Sequence, residues 1–470
     1  MAIKKSELYS TLWSGCDTLR GSMDASQYKD YVLTLLFIKY ISDKYHGDPN
    51  ALVIVPDRSS FDYLKSLKGK PDIGDQINKS ISALAEENGL IGVIDLTDFN
   101  EDTKLGKGKS MVNRLSDLIG VFENENLDFS GNRAGDDDLL GDAYEYLMMN
   151  FATQSGKSKG QFYTPAEVSR ILANVIQIGN DSSNNITAYD PTCGSGSLLL
   201  KVANEAKTNI SLYGQEMDNA TKALAVMNMW LHDFPTAEIE LEDTLAQPQF
   251  KDSATGLLKR FDYIIANPPF SVKNWSNGMD YDPLNDPYDR FTGFGVPPAK
   301  NGDYAFLLHM VRSLNDNGKA AIILPHGVLF RGNAEHEIRK NLIKRKWIKG
   351  IIGLPPNLFY GTSIPACIIV LEKNGAEQRE GIFIVNAGKG FIKDGNKNRL
   401  RERDIKKITD IFNGFTELDR YSRMVSFGEI SKNEYNLNIP RYIDSSEKED
   451  RQDIEAHLKG GIPNSDLLNL

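Results

Sequence analysis

The run Asn267-Pro268-Pro269-Phe270 is the stretch of this chain best suited to chemistry. Two consecutive prolines fix φ and remove two backbone N–H donors, which leaves the Asn267 side chain and nearby carbonyl oxygens as acceptors beside the Phe270 ring. An exocyclic amino group fits there. Its two N–H bonds are received by the Asn267 side-chain oxygen and the Pro268 carbonyl, while a flat base stacks on Phe270. Such an amine is a poor nucleophile because its lone pair is delocalised into the ring. Paired acceptors draw it towards tetrahedral geometry and prepare it for in-line attack on an electrophilic methyl group. An ordinary proline-rich turn after a strand would use the same residues, so the surrounding chain has to decide between the two.

A second candidate is Asp190-Pro191-Thr192-Cys193-Gly194-Ser195-Gly196-Ser197, between a short strand, Ile186 to Asp190, and a helix, Leu198 to Lys207. A glycine turn of this kind lets a ligand approach the backbone and presents helix N-terminal N–H groups. The third glycine of the dinucleotide fingerprint and the Lys-Ser/Thr ending of a P-loop are both absent. The next strand, Ile210 to Gln215, ends at Glu216-Met217-Asp218, where Glu216 is placed to accept both ribose hydroxyls and Asp218 to cap the helix Ala220 to His232. A third strand, Ala237 to Leu241, ends at Glu242-Asp243-Thr244-Leu245, and Asp243 is either an acceptor for an adenine amino group or a turn residue. The fourth strand, Phe261 to Ala266, delivers the opening tetrapeptide. Both candidates therefore share one edge of a parallel sheet. Upstream, in Gln161-Phe162-Tyr163-Thr164-Pro165, Thr164 and Pro165 start a helix over Ala166 to Ile178, and Phe162 with Tyr163 form either a hydrophobic staple or ligand contacts.

These sites sit within an α/β pattern of alternating strands and helices. Ser6 to about Asn126 reads as helical, with Tyr28 to Tyr45 buried on most sides, and serves either as an interaction domain or as a cap on its own core. Asp138 to Ala152 reads as a further amphipathic helix. The loop Ser271 to Asn301, with Trp275, Tyr281, Tyr288, Phe291 and Phe294, is expected to be a mobile cover that orders on nucleic acid. The helix Ala334 to Lys346 carries Arg339, Lys340, Lys344, Arg345 and Lys346 as a solvated face or as phosphate contacts. Lys319 to Leu324, Ile348 to Leu354 and Ala366 to Glu372 complete the sheet, the last two as an antiparallel pair. His326 and Cys193 read as structural, since neither has a catalytic partner nearby in sequence.

A net charge of −10 is a poor background for gripping nucleic acid unaided, so a DNA substrate would call for a partner. The tail nevertheless has a basic section, Lys389 to Lys407, suited to contact DNA phosphates, ahead of an acidic, solvated one, Asp444 to Glu455. Cys16, Cys193 and Cys367 lack metal-ligand spacing, so no metal site is expected. No secretory leader and no apolar run long enough to span a bilayer is visible, which points to a cytoplasmic protein with no membrane contact.

Together, Asp190 to Gly196, Glu216, Asp243 and Asn267 to Phe270 resemble the S-adenosylmethionine-dependent amino methyltransferases, and Asn-Pro-Pro-Phe is typical of DNA adenine-N6 methylases. With Gln161 to Pro165 placed before the glycine turn, the motifs follow the gamma order. The helical front, Gly160 to Pro165, Asp190 to Ser197 and Leu354-Pro355-Pro356-Asn357-Leu358-Phe359 are similar to the modification subunit of type I restriction-modification systems, over nearly the whole chain. The resemblance implies an all-helical N-terminal domain for partner or DNA interaction (1–150), a methyltransferase domain built on a Rossmann-like seven-stranded sheet with an antiparallel last strand (151–375), and a small C-terminal region for subunit and DNA contacts (376–470). It implies S-adenosyl-L-methionine as cofactor, held by Gln161 to Pro165, Asp190, Pro191, Thr192, Gly194, Ser195, Gly196, Glu216, Asp243, Thr244, Leu245 and Asn267. Asn267, Pro268, Pro269 and Phe270 would receive the flipped adenine, without a metal. The implied partners are double-stranded DNA, a specificity subunit that reads the sequence, a second copy of the chain and a restriction subunit. Family members often continue past the point reached by Leu470, so a shortened contact with the specificity subunit is expected. A self-sufficient methylase, a non-catalytic scaffold and a protein glutamine methyltransferase are the competing readings, the last disfavoured by Phe270, where that family has Tyr.

Overall fold

The computed structural model describes residues 12–13, 25–51, 53–124, 127, 144, 146–148, 164–180, 183–359, 362–395 and 397–444. Helices of nine residues or more among them are α1 (Ala25–Tyr45), α2 (Ile73–Asn88), α3 (Lys109–Val121), α4 (Ala166–Val175), α5 (Ser197–Glu205), α6 (Asn219–Leu231), α7 (Asp303–Ser313), α8 (Ala334–Lys344) and α9 (Glu402–Asn413). The strands are β1 (Ile186–Asp190), β2 (Ile210–Glu216), β3 (Glu238–Leu241), β4 (Phe261–Ala266), β5 (Leu314–Pro325), β6 (Ile348–Gly353), β7 (Ala366–Glu372), β8 (Gly381–Asn386), β9 (Ile392–Asp394), β10 (Lys397–Arg399) and β11 (Ser422–Ser426).

One sheet runs β3-β2-β1-β4-β5-β7-β6-β8-β11. Its first five strands are parallel, β7 is antiparallel to both β5 and β6, and β6 again runs with β8. The seven strands from β3 to β6 are the expected methyltransferase sheet. It does not end there, because β8 and the antiparallel β11 extend it by two. Adjacent residues of the central strands point into opposite cores: Ile264 and Ile265, Ile322 and Ile323, and Ile368 and Ile369 alternate between two fully covered faces. This period of two explains why these strands read as continuous apolar runs.

The helical front joins the sheet through α6. Ala223, Leu224, Met227 and Leu231 pack into the same core as α1, while Ala225 and Met229 from the same helix pack under the sheet. The Tyr144 hydroxyl donates to the Leu224 carbonyl at 3.2 Å, and Lys44 pairs with Asp233 just past α6. The expected helix over Asp138 to Ala152 lies outside the described residues except at 144 and 146–148, which are helical.

Two expectations are corrected. The stretch Ser271 to Asn301 is not a mobile cover. It packs Trp275, Phe291 and Phe294 into the core, and the fully buried Arg290 pairs with Asp286 at 2.8 Å. Arg290 also donates to the Leu245 carbonyl at 2.8 Å, tying the loop to the turn after β3. A buried guanidinium with its donors satisfied is an internal strut. On α8, Arg339 faces neither solvent nor phosphate. It is buried and donates to the carbonyls of Val328, Arg331 and Tyr435.

Candidate active site

The carboxyl ends of β1, β2, β3 and β4 lie side by side, where open parallel sheets bind ligands. At the end of β1, the buried Asp190 carboxylate accepts from the Thr192 N–H at 2.9 Å. Burial, reinforced by the neighbouring Glu216 charge, pushes its pKa up to about 7, although the Thr192 N–H works the other way. Gly194 and Gly196 both have positive φ. A Cβ on Gly196 would stand 2.5 Å from the Met229 methyl group, which would have to move aside, and the positive φ there favours glycine over any other residue. Asn228 of α6 holds the turn from below, donating to the Ser195 carbonyl at 2.9 Å.

Glu216 ends β2. One of its oxygens accepts from the Gly194 N–H at 3.1 Å and the other from the Asp218 N–H at 3.0 Å. Each oxygen keeps a lone pair for a further donor, and burial raises its pKa. Asp218 caps α6 as expected, accepting from the Thr221 N–H at 2.8 Å. After β3, Asp243 Oδ1 receives the N–H groups of Leu245 (2.8 Å) and Ala246 (3.3 Å), so it does act as a turn residue, with Oδ2 left for other duty. Thr244 reaches back to the Pro191 carbonyl at 2.5 Å, joining the β1 and β3 turns.

At β4, Asn267 donates through Nδ2 to the Thr164 hydroxyl oxygen at 3.1 Å. Thr164 was expected to cap the following helix, but Pro165 occupies that position and the Thr164 hydroxyl serves Asn267 instead. With Nδ2 engaged, Oδ1 is the end of the amide available to a donor. Thr164, Asp190, Gly194, Ser195, Ser197 and Asn267 line one cleft. Phe270 is half-buried and meets Phe359 edge to face at 5.8 Å. The Leu354 to Phe359 motif therefore lies against the Asn267 to Phe270 turn. Gln161, Phe162 and Tyr163 lie outside the described residues.

Three positioning groups escaped the sequence reading. Asp303, at the start of α7 and fully buried, accepts from the Ser271 N–H at 2.7 Å and from Arg331 at 2.7 Å, and so fixes the residue after Phe270. Arg331, following β5, also donates to the Ser271 hydroxyl at 3.2 Å. Gln215, fully buried, donates to the carbonyls of Glu242 and Gln247 and accepts from the Gln249 N–H, shaping the β3 turn. A polar residue closing the strand Ile210 to Gln215 was the only available signal for Gln215, while Asp303 and Arg331 had none. Of the two residues expected to be structural, His326 bonds the Ala366 carbonyl through Nε2 at 2.9 Å with its pKa lowered by burial, and Cys193 is buried at the wall of the cleft with its thiol pushed well above its usual value by burial.

The glycine turn, its three flanking acids and the Asn-Pro-Pro-Phe turn stand together, and the N-6 DNA Methylase family model matches residues 135–451. The chain belongs to the N-6 DNA methylases. The methylase also matches the HsdM N-terminal domain over residues 8–122. It is 30% identical to the type I restriction enzyme MpnII methylase subunit of Mycoplasma pneumoniae, across 95% of this chain and 90% of that one. It is 33% identical to the MjaVII methylase subunit of Methanocaldococcus jannaschii, across 97% and 81%. The crystal structure of the type I restriction-modification methyltransferase subunit from Streptococcus thermophilus superposes with a TM-score of 0.82 at 32% identity, covering 94% of this chain and 100% of that one. The methylase is thus a type I restriction-modification methylase subunit, working in an assembly as a DNA methyltransferase at N6 of adenine, the DNA base with an amino group at that position. Among the described residues no helix is long and apolar enough to cross a membrane.

Proposed function

We propose that Asn267 Oδ1 and the Pro268 carbonyl receive the N6 amino group of a flipped adenine, with Phe270 stacked on the base and Pro269 holding the turn rigid. The observation that carries this reading is the Asn267 Nδ2 to Thr164 Oγ1 hydrogen bond, which commits the amide nitrogen and leaves its oxygen to accept. Two acceptors localise the lone pair of the amine and aim it. The amide takes a hydrogen bond rather than a proton, so the proton released on methylation leaves towards solvent.

The residues present fit S-adenosyl-L-methionine. Its ammonium, ribose hydroxyls and adenine amine are all donors, and the edge offers acceptors in the same order: Asp190, Glu216 and Asp243 Oδ2. When bound, it supplies the electrophilic methyl group. Asp190, Pro191, Thr192, Gly194, Ser195 and Gly196 would hold its methionine end, Glu216 the ribose, and Asp243, Thr244 and Leu245 the adenine. Gln161, Phe162, Tyr163, Thr164 and Pro165 would close over it beside Asn267.

The substrate in this reading is double-stranded DNA. A separate specificity subunit reads the sequence, two copies of this chain flank it, and a restriction subunit can join. Tritiated methyl transfer from S-adenosylmethionine to unmethylated DNA, with and without the specificity subunit, tests it. Product N6-methyladenine formed only with the partner is expected. Transfer by the chain alone would make it a self-sufficient methylase, and cofactor binding without transfer in either mixture would make it a scaffold.

A further inference from the structure

Lys389, Arg401, Arg403 and Lys407 line a cavity of about 450 Å³, together with Asp404 and the Tyr421 ring. It opens beyond the end of β8. Because β8 runs with β6, and β6 with the parallel strands, this is the same sheet edge that carries Asp190 and Asn267. The acid in the cavity is already neutralised, since Arg401 grips Asp404 with Nε at 2.7 Å and Nη2 at 3.0 Å. Arg403 and Lys407 are exposed one helical turn apart on α9, and neither has a carboxylate within ion-pair distance among the described residues. Their neighbours Glu402 and Lys406 are occupied by Arg170 and Asp410. Lys407 lies 4.0 Å from the centre of the Tyr421 ring, which holds the ammonium at the cavity wall.

The stretch 387–407 carries eight basic residues against three acidic ones in a chain whose net charge is −10. A local excess of this sign inside an acidic protein selects for an anion. The cavity is also mechanically tied to the catalytic turn. Asn398, on the β9–β10 hairpin between Lys389 and Arg401, donates from Nδ2 to the Pro356 carbonyl at 2.7 Å and from its N–H to the Asn357 carbonyl at 3.0 Å. Phe359 of that same segment is the ring against which Phe270 packs.

We propose that Arg403 and Lys407, with Lys389 at the rim, bind a backbone phosphate of the DNA strand held across this edge and so fix the duplex relative to Asn267. The site rests on the DNA-methylating function but is separable from it. Arg403→Gln/Lys407→Gln, made in the complete complex with its specificity subunit, should lower DNA affinity about 10-fold near physiological salt and flatten log K against log[salt] by about 1, since ~0.9 is lost per phosphate contact. Cofactor affinity should stay unchanged, which shows that the variant is folded. A slope equal to wild type overturns the site, and so does a variant whose only defect is weaker assembly with the specificity subunit. Strong displacement of DNA by inorganic phosphate at constant ionic strength would identify a small-anion pocket instead and also overturn it. Methyl transfer by the wild-type complex is read from the same preparation, so a failed phosphate site is distinguishable from a failed enzyme.

Discussion

The two halves of the catalytic edge are built from opposite charges. On the β1, β2 and β3 side, Asp190, Glu216 and Asp243 present carboxylates that are pinned by backbone N–H groups, two of them with pKa raised by burial. On the β8 side, Lys389, Arg403 and Lys407 line an open cavity on the protein surface. Between them stands a turn with no charge, Asn267 to Phe270. A cationic methyl donor and a polyanionic acceptor have to meet in one place, and in the proposed reading this division would sort them along the edge before they do. In that reading the acids orient a small ligand, for which Asp190 is buried and all three carboxylates are held by backbone N–H groups, whereas the exposed basic side chains suit phosphate contacts that position a duplex without enclosing it.

The largest effect should come from the strut between the halves. Asp303→Ala removes one of the two carboxylates paired with Arg331, the other being Glu335, and the acceptor of the Ser271 N–H, and losing hydrogen bonds to a charged group costs about 1.5–3 kcal/mol each. Thermal unfolding should show a large fall in Tm, and methyl transfer should fail while the sheet cores remain.

Asp190→Asn should act on the acidic half alone. Folding favours the protonated acid here, so the stability contributed by Asp190 is complete below its ordinary pKa of 3.8 and is lost as pH rises to about 7. The ionised form is the one that attracts a cationic ligand, and S-adenosylmethionine affinity should therefore increase as pH rises through about 7. Calorimetric titration of the Asn variant should show about tenfold weaker binding and no such pH dependence, with DNA affinity intact. Loss of DNA binding as well would erase the division between the halves.

A smaller effect is expected from Thr164→Val, which keeps the shape of the side chain and deletes the oxygen that orients Asn267. One neutral hydrogen bond contributes about 0.5–1.5 kcal/mol, so single-turnover transfer at saturating cofactor should slow by roughly 2- to 10-fold, with DNA affinity unchanged.

Much of the acidic half was legible in the sequence because its signals are local. Phe261 to Ala266 was delimited to the residue, since an apolar run followed by Pro-Pro has one natural end. The glycine turn and the acids closing β1, β2 and β3 declared themselves by their place after strands. The long-range features did not. Arg290 reads as a surface charge until Asp286, Tyr281 and Leu245 are brought round it, which is why an aromatic-rich loop looked mobile. Asp303 and Thr164 gain their roles from residues 32 and 103 positions away. The two extra strands were missed for a different reason. Gly381 to Asn386 is as apolar as the central strands, but β11 buries little of its side-chain surface and the antiparallel β7 looked like a natural close.

The claim on which the rest depends is that the Asn267 amide oxygen receives the adenine amino group. Single-turnover methyl transfer by Asn267→Ala, with cofactor binding measured on the same preparation of the complex, tests it most directly. A loss of about 10²-fold or more in rate, typical of removing one preorganised polar group, with cofactor affinity held within a few-fold, is the predicted result. Transfer at the wild-type rate would contradict it and move the site of chemistry elsewhere.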